Sequence, residues 1–392
     1  MKDRNIFCLN QIAKVGTDQF RPGYTLVDSI DSAAGVLVRS ADMKETVFPA
    51  GLRAIARAGA GVNNIPIDRC TEEGIVVFNT PGANANSVKE LVLCGLLLAS
   101  RDVTGGVRWV QENREDENLA KSVEKAKKAF AGREVKGKTL GVIGLGAIGA
   151  LVANAAISLG MKVYGFDPYM SVKSAWSLSP LVIHAETAEE VYQVSDYITI
   201  HVPATPSTKG MISAEAITQM KDGAVLLNFA RDSLVDEKAV GEALAAGKLH
   251  RYVTDFPNPV SAHLPNAIVI PHLGASTDEA EDNCAVMAAQ QLQDYLDNGN
   301  IHNSVNYPEI SAGVCETEAR VAILHRNIPN MLSQITSFFG SQGLNIENMA
   351  NKSRGDFAYT LLDLSHRMPR DTVERLKEIT GVLRVRRIVE VK

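Results

Sequence analysis

The sequence predicts an α/β protein: two doubly wound parallel-sheet domains, one flavodoxin-like and one of Rossmann type, and a C-terminal ferredoxin-like βαββαβ domain. Three observations predict it. Short apolar strands alternate with amphipathic helices over residues 1–98 and again over 139–280, the pattern of sheets covered by helices on both faces. Thr139 to Val152 reads TLGVIGLGAIGALV, a buried strand, a glycine turn and a helix rich in Ala and Leu. Residues 319–392 change rhythm to strand, helix, strand, strand, helix, strand, the split βαβ order.

In the first unit the strands are Ile6 to Leu9, Gly35 to Val38, Ala54 to Ala58 and Ile75 to Phe78. Doubly wound sheets bind ligands at the carboxyl ends of their strands. Arg39, Ser40, the turn Ala58 to Asn63 and the segment Asn79 to Asn86 stand there. Glycine-rich turns with free N–H groups beside an arginine suit a small anion, although three ordinary loops fit the spacing equally well. Leu91 to Ala99, the most apolar run, is too short to span a bilayer and reads as a buried helix. Arg101 to Lys138 is highly charged, with helical spacing from Glu112 to Phe130. It reads as a solvated connection or an oligomer contact.

The second unit begins at the glycine turn. Gly144 ends the strand tightly, Gly146 lets backbone N–H groups reach a pyrophosphate, and Gly149 lets the helix pack on the sheet. The pyrophosphate then sits on the positive end of the helix dipole. The next strand, Lys162 to Phe166, ends at Asp167, 18 residues beyond Gly149. A carboxylate there accepts hydrogen bonds from ribose hydroxyls and repels a 2′-phosphate, which favours NAD over NADP. Three more strands deliver residues to the same edge: Tyr197 to Ile200 delivers His201, Val225 to Asn228 delivers Phe229, Ala230 and Arg231, and Ile268 to Ile270 delivers His272 and Gly274. A guanidinium stays charged and grips carboxylate bidentately, and imidazole exchanges a proton near neutral pH. Arg231 and His272 are therefore the pair to expect beside a hydride acceptor, for a 2-hydroxy or 2-oxo acid.

Thr277 to Asn298 reads as a long helix returning to the first unit, and Asn303 to Glu318 as a linker. The last domain follows as strand Arg320 to Leu324, helix Pro329 to Ser341, strands Ile346 to Ser353 and Phe357 to Leu364, helix Asp371 to Glu378 and strand Val382 to Val389. The three arginines of Arg384 to Arg387 read as the polar side of that terminal strand.

Lys+Arg 40 against Asp+Glu 45 leaves no polyanion footprint, so no nucleic-acid partner is expected. The five cysteines, Cys8, Cys70, Cys94, Cys284 and Cys315, are scattered and form no C-x-x-C pair. That argues for a reducing compartment and against a zinc site or disulfide framework. The N-terminus runs into strand-like sequence without a signal-peptide apolar region. A cytoplasmic protein with no membrane partner and no metal is expected.

GLGAIG with Asp167, HVPATPSTKGMI, NFARDSLVD, PHLGAST, AGAGVNNI and FNTPGANANSV resemble the D-isomer-specific 2-hydroxyacid dehydrogenases over nearly the whole chain. The resemblance implies a substrate-binding domain of residues 1–98 and 281–302, an NAD-binding domain of 99–280, a linker of 303–318 and an amino-acid-binding ACT domain of 319–392. It implies oxidation of 3-phospho-D-glycerate to 3-phosphooxypyruvate, at the entry to L-serine synthesis, in a homodimer or homotetramer. By the same resemblance Arg231 orients substrate and His272 is the acid/base. Gly144, Gly146, Ala147, Ile148, Gly149, Asp167, His201, Pro203, Thr208, Phe229, Ala230, Arg231, Asp255, His272, Gly274 and Ala275 line the cofactor. Arg39, Ser40, Ala60, Gly61, Val62 and Asn84 hold the phosphate and carboxylate of the substrate.

Two segments depart from the family pattern. The family pairs its histidine with a glutamate, whereas this chain has Asp255-Phe256-Pro257-Asn258-Pro259 and no glutamate before His272. Either Asp255 takes that role, a carboxylate arrives from elsewhere, or Asn258 merely orients the ring. Asp232-Ser233 also replaces the small residues usual after the arginine. In the C-terminal domain His325, Asn327, Pro329 and Asn345 match the ACT ligand pattern, with Asn330 in place of a glycine. That match implies L-serine as feedback effector, the alternative being a dimerisation module. A hydroxypyruvate or glyoxylate reductase, or a non-catalytic NAD-sensing protein, are the rival readings.

Overall fold

The structure, a computed structural model, describes residues 4–369 and 371–390; Met1 to Asp3, Arg370, Val391 and Lys392 lie outside the described residues. The chain divides into two compact units, Met1–Ala83 with Glu281–Lys392, and Asn84–Ala280.

Five parallel strands build the first sheet: β1 (Asn5–Cys8), β2 (Thr25–Val27), β3 (Gly35–Val38), β4 (Ala54–Arg57) and β5 (Val76–Phe78). Their order is β2-β1-β3-β4-β5, the flavodoxin-like winding. β3 is buried along its whole length, as a central strand covered on both faces must be. The second sheet has seven parallel strands: β6 (Thr139–Ile143), β7 (Lys162–Phe166), β8 (Ile183–His184), β9 (Tyr197–Ile200), β10 (Ala224–Asn228), β11 (Leu249–Thr254) and β12 (Ala267–Val269). The order β12-β11-β10-β9-β6-β7-β8 reverses direction between β6 and β9, the Rossmann switch point at which such sheets bind ligands. β2, β8 and β11 were not expected from the sequence. The first two are edge strands of three and two residues, too short to show periodicity.

The third sheet is antiparallel, β14-β15-β13-β16, from β13 (Ala319–Arg326), β14 (Ile346–Arg354), β15 (Phe357–Leu364) and β16 (Val382–Glu390). Helices Met331–Ser341 and Thr372–Lys377 complete the ferredoxin-like topology, and Ile335, Phe339 and Leu376 pack them on one face around Val321 and Ile323. The other face is covered along β13 and β15, while the edge strand β14 is largely exposed. Ala322, Leu324, Tyr359 and Leu361 share a core with Ile6, Leu292 and Tyr295 of the first sheet and its helix Asp278–Asn298.

Four expectations are corrected. The helix Ala85–Ser100 belongs to the second unit, not to a first domain ending at 98, because it packs on the helix Ala147–Ser158 and buries Val92 and Leu96 with Leu140 and Val152. The charged segment is two helices, Val103–Glu112 and Leu119–Ala126, rather than one. Asn113 Nδ2 closes the first on Trp109 O, and Asp116 takes the Asn118 N–H and the Ser122 hydroxyl, side-chain bonds that compete with helix. The linker is pinned: Asn306 bonds to Val77 N and Ile75 O, Tyr307 Oη donates to Thr71 O, and both side chains are buried. Arg386 is not on a polar surface but 5% exposed, donating to Tyr295 O and Leu296 O in the last turn of Asp278–Asn298. A cation is favoured at that end of a helix dipole.

Candidate active site

The glycine turn after β6 is shaped by close approach. Gly144 has φ 91°, and a Cβ there would lie 2.6 Å from His201 O. At Gly149 a Cβ would lie 1.8 Å from Gly144 O, so the helix Ala147–Ser158 can start against the turn only without one. Gly146 is different: nothing lies within 4 Å of its Cβ position, which leaves the backbone N–H groups at the helix start open to a ligand. Asp167, at the end of β7, accepts hydrogen bonds from Leu145 N and Tyr169 N, both at 2.8 Å. Its carboxylate is thereby fixed beside the turn. Two buried polar atoms on the same sheet edge lack a protein partner, Asp255 Oδ1 and His201 Nδ1. An open glycine and a fixed carboxylate at the switch point, with orphaned polar atoms along the same sheet edge, fit a dinucleotide.

Arg231 follows β10 and is exposed, its Nη1 donating to Ala230 O at 2.6 Å. Asn228 Nδ2 donates to Arg231 O at 2.8 Å and so sets the turn that carries it. His272 follows β12 with φ 26°, a positive value that a side chain adopts only where the surroundings impose it. Asp255 imposes it. The His272 N–H donates to Asp255 O at 2.9 Å, and the Gly274 N–H donates to Asp255 Oδ2 at 3.0 Å. The Phe256 ring lies 4.8 Å from the imidazole. Burial pushes the Asp255 carboxyl upward, against the opposing pull of the Gly274 N–H and of His272. Among the described residues no carboxylate accepts a hydrogen bond from the His272 ring.

Asn258 has no part in that pair. Its Nδ2 donates to Glu237 Oε1 at 3.0 Å, and its Oδ1 accepts from Val260 N and Ser261 N. Those bonds cap the turn and correct the expectation that it orients the ring. Glu237 is raised by burial first, with the Asn258 bond opposing and Asp232 reinforcing.

The family profile for the D-isomer specific 2-hydroxyacid dehydrogenase NAD-binding domain matches residues 93–274. The chain is 35% identical to the D-3-phosphoglycerate dehydrogenase of Haemophilus influenzae, over 83% of this chain and 78% of that one. It is 33% identical to the D-3-phosphoglycerate dehydrogenase of Escherichia coli, over 92% and 88%. The chain belongs to the D-isomer-specific 2-hydroxyacid dehydrogenase family. The NAD-bound 3-phosphoglycerate dehydrogenase of Entamoeba histolytica superposes with a TM-score of 0.61 at 28% identity, over 77% of this chain and 98% of that one. This dehydrogenase is accordingly an NAD-dependent oxidoreductase, not a sensor without chemistry. Among the described residues no helix is long and apolar enough to cross a membrane.

Three residues assigned to the cofactor also pack or bond within the protein. The Phe229 side chain is core, packed so closely on Gly95 that a Cβ there would be 2.8 Å from Phe229 Cζ. Thr208 closes its own turn, accepting from Thr205 N and donating to Pro203 O. His201 is held by Thr199 Oγ1 at 2.9 Å, and burial drives its pKa down to about 3, so the ring is neutral.

On the first sheet Arg39 follows β3 at the switch point beside β1, its N–H held by Asn10 Oδ1 at 2.9 Å. Ser40, Ala60, Gly61 and Val62 are at least partly exposed near this edge, whereas Asn84 precedes the helix Ala85–Ser100 of the second unit. Arg57 was missed. It ends β4, its Nε donates to Arg39 O at 3.0 Å, and a Cβ on Gly59 would come within 2.5 Å of its Nη1. An arginine just before a glycine turn at a strand's carboxyl end was the available signal.

In the third sheet His325 is buried, with Nδ1 bonded to Arg326 O and Nε2 to Thr360 Oγ1, both at 2.8 Å. Burial holds its pKa below the ordinary value. The Thr360 hydroxyl lies between Nε2 and Asn351 Oδ1 and has one proton to share between them. Asn327 donates to Gly355 O and Asn345 to Glu347. The register keeps them apart: His325 pairs with Ala358, whereas Asn345 O accepts from Ser365 N, which places Asn345 roughly 20 Å further along the sheet.

Proposed function

We propose that this enzyme oxidises 3-phospho-D-glycerate to 3-phosphooxypyruvate, the entry step of L-serine synthesis. Arg39 beside Arg57 carries the reading. Two arginines at one sheet edge, the Arg57 side chain bonded to the Arg39 carbonyl, suit a phosphate better than a lone carboxylate, and the relatives named above carry that activity in their names. In this reading Arg231 grips the substrate carboxylate and aligns the carbon that loses hydride. His272 removes the hydroxyl proton during oxidation and returns it in the reverse direction. Bound at the glycine turn, NAD supplies the hydride acceptor. Asp255 holds the His272 turn from both sides, and Asp167 receives the ribose hydroxyls. NADH formation at 340 nm with 3-phospho-D-glycerate, D-glycerate and D-lactate tests the reading; turnover confined to either unphosphorylated acid would remove it.

We further propose that the C-terminal domain is an ACT domain that takes L-serine. Because His325 and Asn345 stand at opposite ends of one sheet, a pocket using both needs two copies of the chain, which is the reading's reason for a homo-oligomer. Inhibition by millimolar L-serine, with calorimetric binding that disappears in Asn345→Ala, is the expected outcome. No inhibition and no heat of binding would leave a dimerisation module.

A further inference from the structure

The anion grip of the first unit contains an acidic residue. Arg39 Nη2 donates to Glu281 Oε1 at 2.5 Å, and among the described residues no other hydrogen bond restrains that guanidinium. The backbone of Arg39 is fixed by contrast. Its N–H is taken by Asn10, and its carbonyl accepts from Arg57 Nε and, at 3.4 Å, from Asn64 Nδ2. Glu281 lies in the first turn of the helix Asp278–Asn298, a rigid mount.

Both side chains of the pair are about two-fifths exposed, at 40% and 39%, and an ion pair so placed contributes little to stability. Its effect falls on orientation. An arginine side chain has many rotamers, and a bidentate grip requires one orientation of its planar fork. A group fixed beforehand spares the ligand that ordering. Glu281 takes one N–H of Nη2, which leaves the fork on the other side of that nitrogen for an incoming oxyanion.

We propose that Glu281 is a positioning residue for substrate, acting through Arg39. The proposal rests on the reading of Arg39 as an anion-binding residue. Wild type is first assayed on 3-phospho-D-glycerate, D-glycerate and D-lactate, and the variants are then compared on whichever acid it uses with the highest kcat/KM. A wrong substrate assignment therefore leaves this test intact. Glu281→Gln keeps an oxygen acceptor for Nη2, and its KM for the acid is expected to stay within about threefold of wild type. Glu281→Ala releases Arg39 and is expected to raise that KM about tenfold, with kcat within twofold and KM for NAD unchanged. An unchanged or lowered KM in Glu281→Ala overturns the proposal, the lowered value marking Glu281 as a competitor of substrate. Equal losses in both variants, a loss confined to kcat, or an Arg39→Gln variant with unchanged KM overturns it as well. Thermal unfolding of both Glu281 variants near the wild-type midpoint accompanies the expected result.

Discussion

His272 and His201 stand at carboxyl ends of the same sheet and do different things because their surroundings differ. His272 is exposed on a turn gripped by Asp255. Its replacement by Ala is expected to lower kcat by about 10² to 10⁴-fold while calorimetric NAD affinity is retained. His201 is half-buried, with burial lowering its pKa from 6.5 to about 3. A base depressed in the folded state takes up its proton first in the unfolded chain. Its contribution to stability is therefore full above pH 6.5 and is lost as pH falls toward 3, with a slope of up to about 1.4 kcal/mol per pH unit. Denaturant unfolding of His201→Gln between pH 6.5 and pH 4 should show a shallower decline than wild type. An equal slope would mean that other groups set the acid limit.

The glycine turn and its helix separate two kinds of glycine. At Gly149 the missing Cβ protects packing, since it would sit 1.8 Å from Gly144 O. Gly149→Ala should cost about 1–3 kcal/mol, as overpacked sites do. At Gly146 nothing lies within 4 Å, so Gly146→Ala should unfold near the wild-type temperature yet raise KM for NAD at least tenfold. Thermal unfolding beside NAD titration distinguishes them. If both variants lose only stability, the turn is structural and the cofactor lies elsewhere. The helix Ala85–Ser100 teaches a related lesson at this scale: its apolar run is plain in the sequence, but which sheet it covers depends on partners distant in the chain.

For the molecule as a whole, the C-terminal sheet is built into the first unit. Arg320, fully buried, grips Asp363 through Nε and Nη2 at 2.5 and 2.8 Å, and also donates to Asn298 O, Gly313 O and Ala312 O. Arg320→Met leaves Asp363 uncompensated and should cost about 3–5 kcal/mol. Arg320→Met with Asp363→Leu should recover much of that loss. A double-mutant cycle by urea unfolding measures the coupling, and additive single losses would show that Arg320 acts through the three carbonyls rather than through Asp363.

The sequence by itself determined what local chemistry encodes. Apolar runs mark most strands, the spacing of Gly144, Gly146 and Gly149 marks the dinucleotide turn, and Asp167, Arg231 and His272 mark the edge, because each depends on neighbours within a turn or one βαβ unit. Tertiary structure decided what distant partners control. It tied Arg57 to the carbonyl of Arg39, gave Asn258 to Glu237 and sealed Phe229 into the core. It also turned Arg386 inward onto the end of the helix Asp278–Asn298. In each of these the side chain had more than one chemically acceptable partner. The choice fell to whichever group the packed sheets brought within hydrogen-bond or van der Waals reach, which no local pattern records.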